Sequence, residues 1–167
     1  GMDELGSFVL INRVASSVSI PVLAAGGIAD GKGLAAALAL GAEGVVMGTR
    51  FVATNECTIH PNFKEMIVNS SETDTMTCQR SIKNMARYAK NDQSAKALKL
   101  ELAGAGLDEL MPVISGKLSQ TCYRTGDTQG CVFAMGPAAG LITEVKPVKA
   151  VIEDMVADAG KTYKKLG

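Results

Sequence analysis

The stretch Ile20–Ala53, IPVLAAGGIADGKGLAAALALGAEGVVMGTRFVA, decides the fold. Pro21 cannot continue a helix, and it opens the short apolar run Pro21–Ala25 (PVLAA). A run that short, closed by Gly26-Gly27, predicts a buried strand that ends in a tight turn. Asp30 suits the N-cap of a helix over Gly31–Leu40. Ala35, Ala36, Ala37 and Ala39 allow that helix to pack closely on a sheet. Gly41 falls just past its last turn, where a left-handed residue terminates a helix. Ala42–Met47 (AEGVVM) predicts a second short strand, ending at Gly48-Thr49. Strand, helix and strand in this order indicate a βα-repeat fold with a parallel sheet.

Working outward, residues 7–18 (SFVLINRVASSV) predict a helix, with Phe8, Ile11, Val14 and Val18 at helical spacing. Pro61–Val68 predicts a short helix, and Thr73–Cys78 (TDTMTC) a strand or an extended crossing. Asn91–Gln120 is helix-prone, with Gly104, Gly106 and Pro112 as breaks. Gly126–Gly140 is punctuated by glycine. From Val148 on, Val151, Ile152, Met155, Val156, Ala159, Tyr163 and Leu166 make one apolar helix face. Pro147 suits its first turn, and its charge order, acidic early and lysine late, favours the helix dipole. Gly1, ahead of Met2, reads as an expression remnant.

The 167 residues carry 17 Lys+Arg against 17 Asp+Glu, 47% hydrophobic residues and 18 glycines, a globular composition. A balanced charge argues against a nucleic-acid or anionic-membrane partner. No run is long and apolar enough for a signal peptide or a membrane span. Cys57, Cys78, Cys122 and Cys131 are separated by 21, 44 and 9 residues, without a CxxC pair. That spacing fits neither a zinc site nor a disulfide framework, and it suits a reducing cytoplasm.

Chemistry concentrates at the two strand-to-loop junctions, Ala24–Ile28 and Val46–Arg50. Each places glycine at the carboxyl end of a strand, where the backbone can approach a ligand and free N–H groups can face an anion. Two such junctions one βα unit apart describe the phosphate site that the last two loops of a TIM barrel often build. The alternative is that the glycines only make tight turns. His60, the one histidine, precedes Pro61 and a helix, and it reads as a local cap. The cysteines read as packing residues, because no His/Asp pair accompanies them. Asp127 reads as a turn residue.

The same residues carry a resemblance. Ile20–Ala53 resembles the phosphate-binding core of the nitronate monooxygenase (2-nitropropane dioxygenase) family, FMN-dependent TIM-barrel enzymes to which the flavin-dependent enoyl-ACP reductases are related. Weaker likeness continues through Glu56, His60-Pro61, Lys64 and Thr73–Thr77. It returns at Gly126-Asp127, Gly136 and Gly140–Ile142, and in the last helix. The resemblance implies that Ala25, Gly26 and Gly27 line the FMN phosphate through backbone N–H groups. Gly48 and Thr49 would do so from the next strand, with Met47 beside the ribityl chain. It implies oxidation of a small nitroalkane or nitronate substrate with O₂. The family's catalytic histidine lies in a Gly-rich loop ahead of the matching region, so no residue of this chain is assigned a catalytic role. Where the family often has glutamine after glycine, this chain has Gly136-Pro137, which offers neither that amide nor a backbone N–H.

By this reading residues 1–54 are the last two βα units of a barrel with their phosphate loops. Residues 55–167 are a helical, loop-rich region packing on them. A TIM barrel takes about 250 residues. The expectation is therefore an incomplete barrel whose strand edges are buried in a homo-oligomer or by a partner chain supplying the missing strands. Two other functions stay open: an enoyl-ACP reductase-like protein, and a non-catalytic remnant or assembly module.

Overall fold

The structure is a computed structural model that describes residues 5–166. Gly1, read above as an expression remnant, lies outside the described residues. Two short strands, β1 (Leu23–Ala25) and β2 (Gly44–Val46), pair in parallel, with Leu23 opposite Gly44 and Ala25 opposite Val46. The helix between them is α2 (Gly31–Ala39), preceded by α1 (Ser7–Ala15). Asp30 caps α2 as its position suggests: the carboxylate accepts a hydrogen bond from the Gly33 N–H at 2.8 Å. Gly41, at φ +94°, supplies the left-handed residue that ends it.

After β2 the chain turns at once into α3 (Thr49–Val52), then α4 (Pro61–Val68). An antiparallel hairpin follows, β3 (Thr75–Cys78) and β4 (Ala86–Ala89). Three helices come next, α5 (Asp92–Leu102), α6 (Leu107–Ile114) and α7 (Gly116–Thr125). A 3-10 turn at Pro137–Leu141 leads to the long closing helix α8 (Val148–Leu166).

Three apolar clusters hold these elements. Ile11, Ala24, Ile28, Ala37, Val151 and Met155 join α1, β1, α2 and α8. Helix α8 lies so close on α2 that a Cβ at Gly31 would stand 2.6 Å from the α8 backbone. The Tyr163 hydroxyl donates to the Ala35 carbonyl at 3.1 Å across the same contact. A second cluster surrounds fully buried Phe63, whose ring lies 5.3 Å from Tyr123 and 4.9 Å from Phe133. Such tilted and edge-on aromatic contacts add to the burial energy. The third, Cys78, Ala97, Val113 and Val132, seats α5 and α6 on the hairpin.

Some expectations change. The described residues form no closed barrel: β1 pairs only with β2 in a two-stranded sheet. The strands read as buried are bare on one face, with Leu23 59% and Val46 52% exposed. Nothing among the described residues covers that face. Helix α1 stops at Ala15, and of its apolar stripe only Ile11 is buried, while Phe8 is 70% exposed. Pro112 lies inside α6 instead of breaking it, because Leu110 and Val113 on either side of it are buried. The break comes at Ser115, which caps α7. Strand β4 was not expected at all. Cys78, Cys122 and Cys131 are buried and all four thiols are free, consistent with packing roles. Burial pushes the Cys78 thiol up to about 11. It pushes Cys131 up to about 12, with the neighbouring Cys122 adding to the shift. None of the helices is long and apolar enough to cross a membrane, among the described residues.

Candidate functional site

The parallel register sets both glycine junctions at one end of the small sheet. Ala25 stands beside Val46, so Gly26-Gly27 and Met47-Gly48 leave the paired strands at the same carboxyl edge. Gly26 and Gly27 have φ of +91° and +76°, a conformation that L side chains rarely adopt. A Cβ built at Gly26, Gly27 or Gly48 would meet no atom of the described residues within 4 Å. The glycines are therefore not required by crowding within the chain. They leave open space beside exposed backbone, the arrangement that lets a bulky anion come within reach of N–H groups.

Gly26 and Gly27 line an open cavity of about 760 Å³. Its other walls are the start of α1 at Gly6-Ser7, the hairpin at Thr77 and Met85–Arg87, and the turn at Gly136-Pro137. Residues far apart in sequence are joined here by a ladder. Segment 133–136 runs beside β4: the Ala89 N–H donates to Phe133 at 2.8 Å and the Met135 N–H to Arg87 at 3.3 Å. The Gly136 N–H then donates to Thr49 Oγ1 at 3.0 Å. The second junction is thus fastened to the cavity wall through the Thr49 hydroxyl, whose own O–H remains a donor.

The sequence-predicted residues divide accordingly. Gly26 and Gly27 line the cavity. Gly48 and Thr49 sit at the N-terminus of α3, and Thr49 touches the wall through Gly136. Ala25 is exposed at the end of β1. Met47 is half-buried against the cluster of Ile11 and Ala24, and it does not line the cavity.

Arg50 turns away from this site. It is 6% exposed, and its guanidinium donates to the carbonyls of Ala53 and Glu144, the latter at 2.9 Å. Burial lowers its pKa, and the Glu144 carboxylate partly offsets that. His60 caps α4, its Nδ1 accepting from the Asn62 N–H at 3.2 Å. Its ring packs on Gly126, where a Cβ would clash with it. It lines a different, shallow cavity with Cys57 and Arg124. The capping role read from the sequence holds. Asp127 makes its turn, accepting from the N–H groups of Gln129 at 3.0 Å and Gly130 at 2.9 Å. The residue that sequence reasoning missed is Arg87. No local motif marks it, and it reaches the cavity only because β4 pairs with β3.

The donor set suits a phosphate monoester. Backbone N–H groups beside open glycines and a threonine hydroxyl are groups that bind a phosphate monoester without steric cost. Among the described residues there is no cluster of metal-ligating side chains.

Comparison with known proteins identifies the family. The sequence profile of the nitronate monooxygenase family matches residues 1–158. A probable nitronate monooxygenase of Staphylococcus aureus (strain JH9) is 41% identical over 90 residues, which is 54% of this chain and 25% of that protein. The chain therefore spans about a quarter of the length of the curated relatives it matches. FabK from Thermotoga maritima superposes with a TM-score of 0.85 at 43% identity, over 98% of this chain and 51% of that one. Nitroalkane oxidase from Streptomyces ansochromogenes superposes with a TM-score of 0.80 at 25% identity, over 98% of this chain and 46% of that one. With its glycine junctions, its mixed α/β fold and a match over nearly its whole length, the chain belongs to the nitronate monooxygenase family.

Proposed function

We propose that the chain supplies the phosphate-binding side of an FMN-dependent oxidoreductase that acts on alkyl nitronates with O₂. One observation supports this most: two glycine junctions leave a parallel strand pair at the same edge, the first lining a cavity and the second tied to that cavity's wall through Thr49. Bound there, the flavin would supply the redox chemistry, accepting electrons from a nitronate anion and passing them to O₂. The chain's own residues bind and orient. Ala25, Gly26 and Gly27 offer backbone N–H groups from one strand. Gly48 and Thr49 offer theirs from the next, with the Thr49 O–H as a further donor. Met47, partly packed on the core, would lie beside the ribityl chain. No residue is assigned to proton abstraction, since His60 is held as a helix cap. The purified chain is expected to bind FMN, with quenching of flavin fluorescence that saturates. Unquenched fluorescence up to high micromolar FMN would contradict the proposal.

The likeness to FabK at 43% identity favours a second reading, an enoyl-ACP reductase-like flavoprotein. Flavin bleaching by NAD(P)H without nitronate turnover would select it. A chain that takes up no flavin would instead be a non-catalytic assembly module.

We further propose that the exposed apolar residues of α1 and of the β1–β2 pair are buried against another copy or a partner chain. Phe8 and Val9 of α1, Leu23 of β1 and Ile20 just before it are each more than half exposed, unusual for large apolar side chains left in water. Light scattering is expected to give a mass above that of the monomer. A monodisperse monomer would overturn this.

A further inference from the structure

A phosphate monoester carries close to two negative charges, and the glycine junctions present only backbone dipoles. A cationic side chain would sharpen the site's preference for the dianion over a neutral ligand. The nearest candidate in sequence, Arg50, cannot do so. It is buried and lines a different cavity, and its Nη2 donates to the carbonyls of Ala53 and Glu144. Lys146 is held between Glu144 at 3.0 Å and Asp154 at 2.8 Å. Helix α3 is four residues long, too short to contribute much of a dipole.

Arg87 remains. It lines the same cavity as Gly26 and Gly27, and among the described residues that line it, it is the one that carries a charge. Its backbone is fixed on both sides. It stands opposite Thr77 in the hairpin, and its carbonyl accepts from the Met135 N–H at 3.3 Å. Its side chain is aimed by one contact, Nη1 donating to the Oγ1 of buried Thr75 at 3.0 Å. Among the described residues it forms no ion pair, so most of the guanidinium's donors are left to a ligand. A planar fork of donors matches a phosphate better than an ammonium does.

We propose that Arg87 binds the phosphate monoester of the flavin, from the hairpin wall facing the Gly26-Gly27 junction. The assignment rests on the FMN reading above and extends it to a residue outside the glycine motif. It makes the β3–β4 hairpin part of the cofactor site.

The test compares FMN with riboflavin, which lacks the phosphate, by equilibrium fluorescence titration of the wild-type chain and of Arg87→Met and Arg87→Lys. The wild type is expected to prefer FMN. Arg87→Met should weaken FMN at least tenfold and leave riboflavin unchanged. Arg87→Lys should recover part of the loss, and added salt should weaken FMN binding more in the wild type than in Arg87→Met. The urea midpoint of each variant reports whether the hairpin still folds. Equal loss for both flavins would assign Arg87 a structural role and overturn the proposal, as would no change for either. If the wild type binds no FMN, the functional reading falls with it. If the wild type binds FMN and Arg87→Met binds it equally, only the role of Arg87 falls.

Discussion

Gly31→Ala is expected to destabilise the chain by about 3 kcal/mol, at the upper end for overpacking a well-filled interior. The reason is geometric. The added Cβ would stand 2.6 Å from Ala159 N, Met155 O and Asp158 Cβ. Two of these are backbone atoms of α8, so no flexible side chain can swing aside. Helix α8 must lift from α2, and with it go the packing of Val151 and Met155 and the hydrogen bond from Tyr163 to Ala35. Gly160→Ala is the control. Gly160 lies in α8, the helix that packs on Gly31, but a Cβ there meets nothing of the described residues within 4 Å. It should be neutral or stabilising by about 0.5–1 kcal/mol, the gain in helix propensity over glycine. Urea denaturation of the two variants beside the wild type checks both. Equal midpoints for Gly31→Ala and wild type would mean that α8 does not sit on α2 as described.

Gly27→Ala is expected to separate binding from folding. At φ +76° an alanine is strained by about 1–2 kcal/mol. The protein itself offers no further obstacle, since the new Cβ would meet no atom. A ligand phosphate resting on the Gly26-Gly27 backbone would meet it. FMN affinity should therefore fall at least tenfold, equivalent to about 1.4 kcal/mol. Gly104→Ala provides the matched comparison, with φ +84° and equally open surroundings just beyond α5, away from the cavity. The two variants should lose similar stability, and only Gly27→Ala should lose FMN. Parallel losses of FMN affinity in both would remove the glycine junction from the site.

The contrast between what was legible in the sequence and what was not follows the range of the interactions. Asp30 and Gly41 bracket α2 through contacts three or four residues long, so their roles could be read from position alone. The same holds for His60 ahead of Pro61 and for the stripe of α8. The junctions at Gly26-Gly27 and Gly48-Thr49 were also legible, because each lies at the end of a short apolar run. Strand β4 was not. Its residues Ala86–Ala89 have no clear alternation, and it is a strand because β3 flanks it on one side and Phe133–Met135 on the other. Arg87 was hidden for the same reason. The clasp between Thr49 and Gly136 spans 87 residues, beyond any local pattern. Helix α1 failed in another way. Its apolar spacing is genuine, but spacing does not say what lies opposite, and only Ile11 finds cover within the described residues.

The proposed function depends on the two glycine junctions holding a phosphate together. The most direct measurement is a ¹H–¹⁵N correlation spectrum of the labelled chain, titrated with FMN. The backbone amides of Gly26, Gly27, Gly48 and Thr49 are expected to shift together along one saturating curve, with Gly136 following through its bond to Thr49. Amides of α5 and α6, none of which lines the cavity, should stay in place. Saturable shifts that leave those four amides unmoved, or that gather elsewhere, would contradict the account.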